Sequence, residues 1–231
     1  MTAPTRFPYG ISTNTPIQTL ANFGMPDPTE YHTLFDDFNI FTAANWIVTE
    51  TGAAGTVALT AGNNGLLLIT TDALDNDAEW IQSLVGSFLP VAGKKLFFKA
   101  KFQASEATQS DIIFGLQIID TTPLDATDGI YFYKADGAAT FDVFVRKNAT
   151  TGSNTGAAVG TLAADTDITL GFYFDGIETT SFFINDILVK NLSSVAAYLP
   201  DAALAMSFGY QNGAAGAETM TVDYVFAAME R

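Results

Sequence analysis

A single histidine, His32, limits the catalytic chemistry that this chain of 231 residues can perform. Any mechanism with an imidazole base, and any zinc site with two histidines, would depend on this one side chain. His32 lies between Tyr31 and Thr33, where a packed or hydrogen-bonded histidine is the usual finding. The chain also has no Gly-x-Ser-x-Gly, P-loop or Gly-x-Gly-x-x-Gly motif. The sequence therefore predicts no nucleophile, no nucleotide site and no catalytic residue.

Carboxylates are abundant, and one dense group contains Asp75, Asp77 and Glu79. Glycoside hydrolysis needs only two carboxyl groups about 5 to 10 Å apart, and along an extended strand these three side chains would project from one face. The group could also bind calcium or form a solvated acidic loop. The loop is favoured, because no glycine stands at the turn position of a calcium loop. The same alternatives hold for a second acidic loop, which contains Asp120, Asp125 and Asp128.

Charge and composition restrict the partners. The 25 Asp and Glu residues outnumber the 10 Lys and Arg residues, which gives a net charge of −15 and argues against nucleic acids and anionic membranes. No apolar run approaches the ~18 residues of a membrane span, and residues 1–8 lack a secretion signal, so we expect a product made in the cytoplasm. Cysteine is absent, which excludes disulfides and thiolate metal sites. We predict no metal, no cofactor and no enzymatic activity.

Short alternating runs follow residue 31 and predict antiparallel strands. In one of them Leu96, Phe98 and Ala100 alternate with lysines, so the apolar set should face a core. Between such runs stand dipeptides that suit tight turns: Asn64-Gly65, Asp128-Gly129, Asp136-Gly137, Asp175-Gly176, Asn185-Asp186 and Asn212-Gly213. No sustained helical periodicity occurs. The pattern predicts an all-β domain over residues 31–231, a two-sheet antiparallel sandwich of roughly a dozen strands.

Residues 1–30 differ, because they hold five of the eight prolines among large apolar side chains. Proline excludes a long helix or a central strand, and a disordered linker would be poorer in apolar groups. We expect an extended N-terminal arm, which either folds over its own domain or lies on a neighbouring subunit. Its predicted contact residues are Arg6, Phe7, Tyr9, Ile11, Ile17, Leu20, Phe23 and Met25.

Lysines cluster on the predicted strand around Phe97, which stands between Lys95 and Lys99 on the side away from the core. One interpretation is a protein contact, in which Phe97 is an anchor inside a charged rim. The other is that the lysines protect a sheet edge from aggregation. Only 15% of the residues are charged, which favours a surface that is docked on a partner.

The order of features from residue 35 onward resembles the concanavalin A-like, laminin-G-type sandwich, a jelly roll. The matching features are Phe35-Asp-Asp-Phe38, Trp46, Gly65-Leu-Leu-Leu-Ile69, the strand Lys95 to Phe102, Phe182 to Val189, and Thr219 to Ala227. Hydrolases of that family carry Glu-x-Asp-x-x-Glu or Glu-x-Asp-x-Glu, which is absent here. A lectin-like module would instead use exposed aromatic side chains, for which the candidates are Trp46, Trp80, Tyr131, Tyr133 and Tyr198.

Over nearly its full length the sequence is similar to capsid decoration, or cement, proteins of tailed bacteriophages. The stretches that carry the resemblance are Arg6-Phe-Pro-Tyr-Gly10, Pro26-Asp-Pro-Thr-Glu-Tyr-His-Thr-Leu-Phe-Asp-Asp-Phe38 and Met220-Thr-Val-Asp-Tyr-Val-Phe-Ala-Ala-Met-Glu-Arg231. The resemblance implies a structural virion protein, a trimer on the outer capsid that contacts the major capsid protein and clamps neighbouring capsomers. The alternative is a carbohydrate-binding module displayed on the virion, with surface glycans as partners.

Overall fold

The computed structural model describes residues 30–62, 65–150, 155–193 and 197–231, which form two antiparallel β-sheets packed face to face. The strands are β1 Tyr31–Asp36, β2 Trp46–Thr51, β3 Thr56–Thr60, β4 Leu66–Thr70, β5 Ala78–Ser83, β6 Leu96–Ala104, β7 Ser110–Gln117, β8 Gly129–Lys134, β9 Thr140–Arg146, β10 Thr155–Thr161, β11 Ile168–Phe174, β12 Thr180–Ile184, β13 Ile187–Leu192, β14 Ala205–Asn212 and β15 Thr219–Glu230. Two 3-10 turns, Ala43–Asn45 and Pro123–Asp125, are the helical elements of the described residues. The predicted all-β sandwich is confirmed.

The seven-stranded sheet has the order β10-β9-β8-β7-β14-β5-β2, and the eight-stranded sheet has the order β13-β12-β11-β6-β15-β4-β3. Strand β1 completes the second sheet by pairing with the last part of β15, from Val225 to Glu230, whereas β4 pairs with its beginning. The long strand β15 therefore holds two short strands end to end on one side. On its other side it pairs with β6, with a bulge between Val222 and Tyr224.

The core lies between the sheets and follows the alternation of the sequence. Leu96, Phe98 and Ala100 point inward and are fully buried, as predicted. Farther along β6, Phe102 stacks on Phe114 of the other sheet with 4.1 Å between ring centroids. Phe114 in turn stacks on Phe208 of the neighbouring strand β14. Burying each such side chain contributes about 2 kcal/mol, so the paired aromatic rows hold the two layers together.

The predicted turns have mixed outcomes. Gly137 and Gly176 adopt positive φ angles of 78° and 79°, and Asn185 and Asp186 form the expected two-residue turn with φ angles of 50° and 61°. The turn predicted at Asp128-Gly129 is wrong, because Gly129 is the first residue of β8. A Cβ atom there would lie 2.8 Å from the Leu116 carbonyl oxygen, so close strand packing explains this glycine. Asn64 lies outside the described residues.

The lysine strand does not protect an edge, so that interpretation is wrong. Strand β6 lies in the middle of its sheet, between β11 and β15. Lys95, just before β6, and the outward lysines of β6 are ion-paired. Lys95 pairs with Glu230 (3.3 Å), Lys99 with Asp186 (2.6 Å), and Lys101 with both Asp167 and Asp223 (2.9 Å each). The hydrogen bonds that Lys101 donates to Asp223 and Asp167 raise the pKa of Lys101 above its ordinary value. The lysines thus neutralise acidic residues on one sheet face.

None of the helical elements in the described part of the chain is long and apolar enough to cross a membrane.

Candidate functional site

Asp75 and Asp77 lie in a loop ahead of β5, the alternative that the sequence favoured, and the three carboxylates of the first acidic group do not share a strand face. Strand β5 begins only at Ala78, and Asn76, with a φ of 64°, belongs to a turn. Asp75 is exposed on this turn. Asp77 is buried and closes the turn by accepting a hydrogen bond from the Leu74 amide (2.9 Å). These side chains shape a loop and do not converge on a ligand.

Glu79 points into the end of the sandwich and is only 2% exposed. Burial, followed by the charge of Glu50, raises the pKa of Glu79 to about 7. Glu50 accepts a hydrogen bond from the Gly55 amide (3.2 Å), and a Cβ atom on Gly55 would lie 1.8 Å from Glu79 Oε1. Because the carboxyl group is enclosed under this backbone, a substrate has no direct access to it.

The second acidic loop also serves local structure. Asp120 accepts hydrogen bonds from the amide and hydroxyl of Thr122, and Asp125 accepts one from the same hydroxyl. Asp128 accepts from the Thr127 hydroxyl and the Asn148 amide. Across the ranges that the structure describes, no three Asp, Glu or His side chains are grouped so that they could hold a metal ion. Hydrogen bonding within turns therefore accounts for these acids.

His32 packs against Phe88, with 5.0 Å between ring centroids. Its Nε2 atom is buried and has no hydrogen-bond partner among the described residues. This is the environment of a packed histidine.

Three of the five candidate aromatic side chains lie together on the outer face of the seven-stranded sheet. Trp80 and Tyr131 belong to a cluster with Ile113, and Tyr133 packs against it. The other two do not join them. Trp46 lies in the core against Phe38 and Phe208, and Tyr198 packs against the same core.

Glycines allow two of these rings to lie close to the sheet. A Cβ atom on Gly209 would come within 2.6 Å of the Trp80 ring, and one on Gly115 would come within 2.6 Å of the Tyr131 Cβ atom. The rings thus occupy space that a larger residue would fill. Trp80 and Tyr131 are only 4% and 3% exposed, so their faces are not open for stacking.

The loop of residues 118–128 closes this half of the face, and buried amides hold it. The Gln82 side-chain amide donates to the Ile118 carbonyl (3.0 Å) and to the Ser207 hydroxyl (2.8 Å), while its carbonyl accepts from the Asp120 amide (2.9 Å). The Gln117 side chain donates to the Pro123 carbonyl (3.1 Å). Leu124, in the same loop, packs against the aromatic cluster.

The other half of the face, on β8 and β9, remains accessible. Tyr133 and Phe144 are half-buried there, with 6.3 Å between their ring centroids. Phe144 also stacks on Tyr131 at 5.2 Å and 18° between planes. The Tyr133 hydroxyl donates to Asp111 (2.8 Å), and burial and this hydrogen bond raise the pKa of Tyr133. We call Tyr133, Phe144 and Arg146 the ring platform.

Arg146 adds one unsatisfied hydrogen-bond donor to the platform. It lies two residues beyond Phe144 on β9, hence on the same face, and hydrogen-bonds to the Tyr131 side chain. Its Nε atom is buried without a hydrogen-bond partner in the described part of the chain, as is Oε1 of Gln117. Gly129 on β8 lies opposite Arg146 on one side and opposite Gln117 on the other. A bound polar molecule could satisfy the Arg146 donor.

Phe144 and Arg146 were missed in the sequence, although their signal is simple. The run from Thr140 to Arg146 alternates, with buried residues at every second position. The intervening side chains of Asp142, Phe144 and Arg146 must therefore share the outer face.

The predicted contact residues fall in two places. Those between Arg6 and Met25 lie outside the described residues. Lys95, Phe97 and Lys99 lie on the outer face of the eight-stranded sheet, where both lysines are ion-paired. Phe97 is 5% exposed and packs in an aromatic cluster, so it is less accessible than an anchor within a charged rim would be.

No model of a known protein family matches the sequence, and no curated protein matches it. Solved structures do resemble the fold. An endo-1,3-beta-glucanase from Streptomyces sioyaensis has a TM-score of 0.63 at 16% identity, over 89% of this chain and 99% of that one. The carbohydrate recognition domain of Emp47p has 0.62 at 13%, over 88% and 98%. A protein of unknown function from Shewanella oneidensis MR-1, SO2946, has 0.60 at 14%, over 87% of each chain.

The fold is the concanavalin A-like, lectin-type β-sandwich. At identities of 10–19%, the similarity establishes the architecture alone. Enzymes and a carbohydrate recognition domain both occur among the similar structures, so the architecture does not decide between catalysis and binding.

Proposed function

We propose that the protein is a non-catalytic carbohydrate-binding module that holds a glycan on the ring platform. The observation that carries this proposal is the combination of two half-buried rings, Tyr133 and Phe144, with the unsatisfied Nε donor of Arg146. Sugar rings present apolar C–H faces and hydroxyl edges, so such a site needs an aromatic surface beside polar groups. The similar carbohydrate recognition domain and glucanase lend support.

Binding without hydrolysis follows from the placement of the carboxylates. Asp111 accepts hydrogen bonds from Tyr133 and from the Asp136 amide, and Asp142 accepts one from the Ala158 amide. Both groups are therefore used within the protein, and Glu79, whose pKa is raised, points away from the platform into the sandwich. General acid catalysis needs a protonated carboxyl group within reach of the glycosidic oxygen.

A glycan array with the full-length protein, followed by calorimetry with soluble oligosaccharides, tests this proposal. Because the net charge is −15, we expect neutral glycans to bind better than acidic ones. Neutral β-1,3-linked glucose oligomers are the first probe, because one of the similar structures is an endo-1,3-beta-glucanase. We expect micromolar binding that falls about fivefold in Phe144→Ala, from one lost stacking contact of about 1 kcal/mol.

The matched control is Thr49→Ala, on the same sheet face but on β2, five strands away from β9. At about 4.8 Å between strands this is some 24 Å distant, so we expect unchanged affinity. An array without binding, or equal affinity of both variants for the bound glycan, would overturn the proposal.

A second candidate is a structural virion protein, a trimer that binds the major capsid protein on the outer capsid and clamps neighbouring capsomers. The observation that favours it is the apolar outer face of the eight-stranded sheet, where Phe35 is 62% exposed beside Phe226. The resemblance of both chain ends to phage decoration proteins is its other support. A clamp of this kind acts by mass action, because it binds only the assembled shell.

The second candidate is tested by adding the full-length protein to purified phage heads that lack it. Stoichiometric cosedimentation with the heads, and greater resistance of the decorated heads to heat, are the expected results. Phe35→Ser should weaken the decoration, whereas Phe144→Ala should not affect it. The absence of cosedimentation would overturn this candidate and leave the glycan proposal untouched.

A further inference from the structure

A short loop at one edge of the sandwich covers two buried carboxyl groups. Residues 52–55 join β2, an edge strand of the seven-stranded sheet, to β3, an edge strand of the eight-stranded sheet. We call residues 52–55 the edge loop. Beneath it lie the carboxyl groups of Asp77 and Glu79, whose residues are 5% and 2% exposed.

The two glycines of the edge loop lie directly against these carboxyl groups. A Cβ atom on Gly52 would come within 3.0 Å of Asp77 Cγ, and one on Gly55 would overlap Glu79 Oε1. Larger residues at these two positions would collide with the carboxyl groups. The backbone of the loop therefore separates Glu79 from solvent.

The position of Glu79 disfavours a negative charge. Its neighbour in the strand register is Glu50 on β2, and like charges directly opposite each other on adjacent strands repel. Burial is the larger cause that raises the pKa of Glu79 to about 7, the Glu50 charge is the second, and no hydrogen bond within the described part of the chain opposes them.

The elements next to Glu79 offer no positive charge to compensate. Residues 46–83, which include β2 to β5, and strand β14 contain no Lys, Arg or His. Their titratable groups besides Glu79 are Glu50, Asp72, Asp75, Asp77 and Tyr210. Tyr210 is opposite Glu79 on β14 and is fully buried. An ionised Glu79 would therefore need water, which the closed edge loop excludes.

Other contacts hold the edge loop only weakly. The Gly55 amide donates to Glu50 (3.2 Å), and Ala53 and Ala54 are exposed. Strand β3, which follows, is mostly exposed and contributes Val57 to the core. Segments with few buried apolar contacts open at a low cost in free energy, so this part of the sandwich can open without unfolding the rest.

We propose that the edge loop is a pH-dependent latch, which is closed over Glu79 while the carboxyl group is protonated and opens when it ionises. In the open form water surrounds the carboxyl group, so its pKa returns toward the ordinary 4.5. The closed form is thus most stable below pH 4.5, loses stability as the pH rises to about 7, and changes no further above it. Opening separates β2 from β3, so that the two sheets part at this edge.

Hydrogen exchange of the Gly55 amide in the full-length protein tests the latch. Its protection factor, the ratio of the exchange rate in an unstructured peptide to that in the protein at the same pH, reports how often the loop opens. We expect this factor to fall on the order of fiftyfold between pH 5 and pH 8. The amides of β13, at the other edge of the eight-stranded sheet, should keep their protection within about twofold.

Two variants of nearly unchanged shape identify the titrating group. Glu79→Gln cannot ionise, so the protection of the Gly55 amide should no longer depend on pH in this interval. Glu50→Gln removes the opposite charge and keeps an oxygen that can accept from Gly55, so the fall should be smaller than in the parent. Glu178→Gln, at an exposed loop position, is the matched control and should behave like the parent.

Three results would overturn the proposal. The first is a protection factor of the Gly55 amide that does not depend on pH. The second is an equal fall for the Gly55 and β13 amides, because ionisation would then unfold the whole sandwich. The third is an unchanged fall in Glu79→Gln, because another group would then be titrating. None of these results depends on glycan binding or capsid decoration.

Discussion

The outer faces of the two sheets both carry aromatic clusters, but the groups beside the rings differ. On the seven-stranded face, the loop of residues 118–128 is held over Trp80 by the buried amides of Gln82 and Gln117. On the eight-stranded face, Phe97 clusters with Tyr173 and Phe183, and the lysines beside Phe97 are paired with Glu230 and Asp186. The first face retains open aromatic and polar groups at Tyr133 and Arg146. Aromatic content alone thus does not reveal a binding surface. Open rings beside an unsatisfied polar group do.

The largest expected effect concerns Phe97 on the eight-stranded face, which is 5% exposed. Phe97→Ala should lower the free energy of unfolding by about 3 kcal/mol, the usual cost of removing a buried phenylalanine. Phe35→Ala on the same face should cost well under 1 kcal/mol, since Phe35 is 62% exposed. Urea denaturation followed by tryptophan fluorescence measures both. Equal effects of the two substitutions would contradict the difference in burial between Phe97 and Phe35.

A somewhat smaller effect is expected on the other face. Gly209→Ala should cost about 2 kcal/mol, because the new methyl group would lie 2.4 Å from the Glu79 carbonyl oxygen and 2.6 Å from the Trp80 ring. In a Trp80→Ala background the cost should fall, since one of the two clashes is removed. The same urea measurements on the four proteins of this cycle give the coupling, and its absence would show that Trp80 does not lie over Gly209.

The third prediction concerns pH. The pKa of Glu79 is raised from 4.5 to about 7, so between these pH values the native protein binds more protons than the unfolded chain. Its stability must therefore fall as the pH rises through this interval. Glu79→Gln removes that fall, and from pH 5 to pH 8 it should gain on the order of 2 kcal/mol relative to the parent. Parallel pH profiles of the two proteins would contradict the assignment. Glu178→Gln, at an exposed loop position, is the control.

The smallest effect is expected at the ion pairs beside Phe97. Lys99→Met should change the free energy of unfolding by less than 1 kcal/mol, because the Lys99–Asp186 pair is partly exposed on both sides. Its effect should also shrink in 1 M salt. A loss of several kcal/mol would mean that charge, and not apolar burial, dominates this face. Lys190→Met, at an exposed position on β13, is the matched control.

Local patterns in the sequence predicted much of the fold. The alternation around Leu96 and Phe98 depends only on the two-residue period of a strand, and the turn at Asp175-Gly176 depends only on local backbone preferences. The central position of β6 could not be predicted, because strand order depends on pairing between distant segments. This is why the lysines suggested an edge. The acidic loop at Asp75 and Asp77 was favoured from the sequence, and β5 begins only at Ala78.

The candidate site was harder to predict than the fold. Trp46 and Trp80 are both strand tryptophans, yet one lies in the core and the other on an outer face. The difference depends on which face of each strand meets the opposite sheet, and this was not evident from either segment alone. Tyr131 and Tyr133 were identified as candidates, but the covering of Tyr131 depends on the loop of residues 118–128. Exposure is thus a tertiary property that residue type does not carry.

The hydrogen bond from the Arg231 amide to the Glu30 carbonyl brings residues 30 and 231 to one corner of the sandwich. A peptide linker of a few residues would therefore join them without disturbing either sheet. Circular permutation of residues 30–231 at this corner, with new termini opened in the turn at Asn185-Asp186, should preserve the sandwich. A reporter attached after Arg231 would be held within a few residues of the point where residues 1–29 enter the domain.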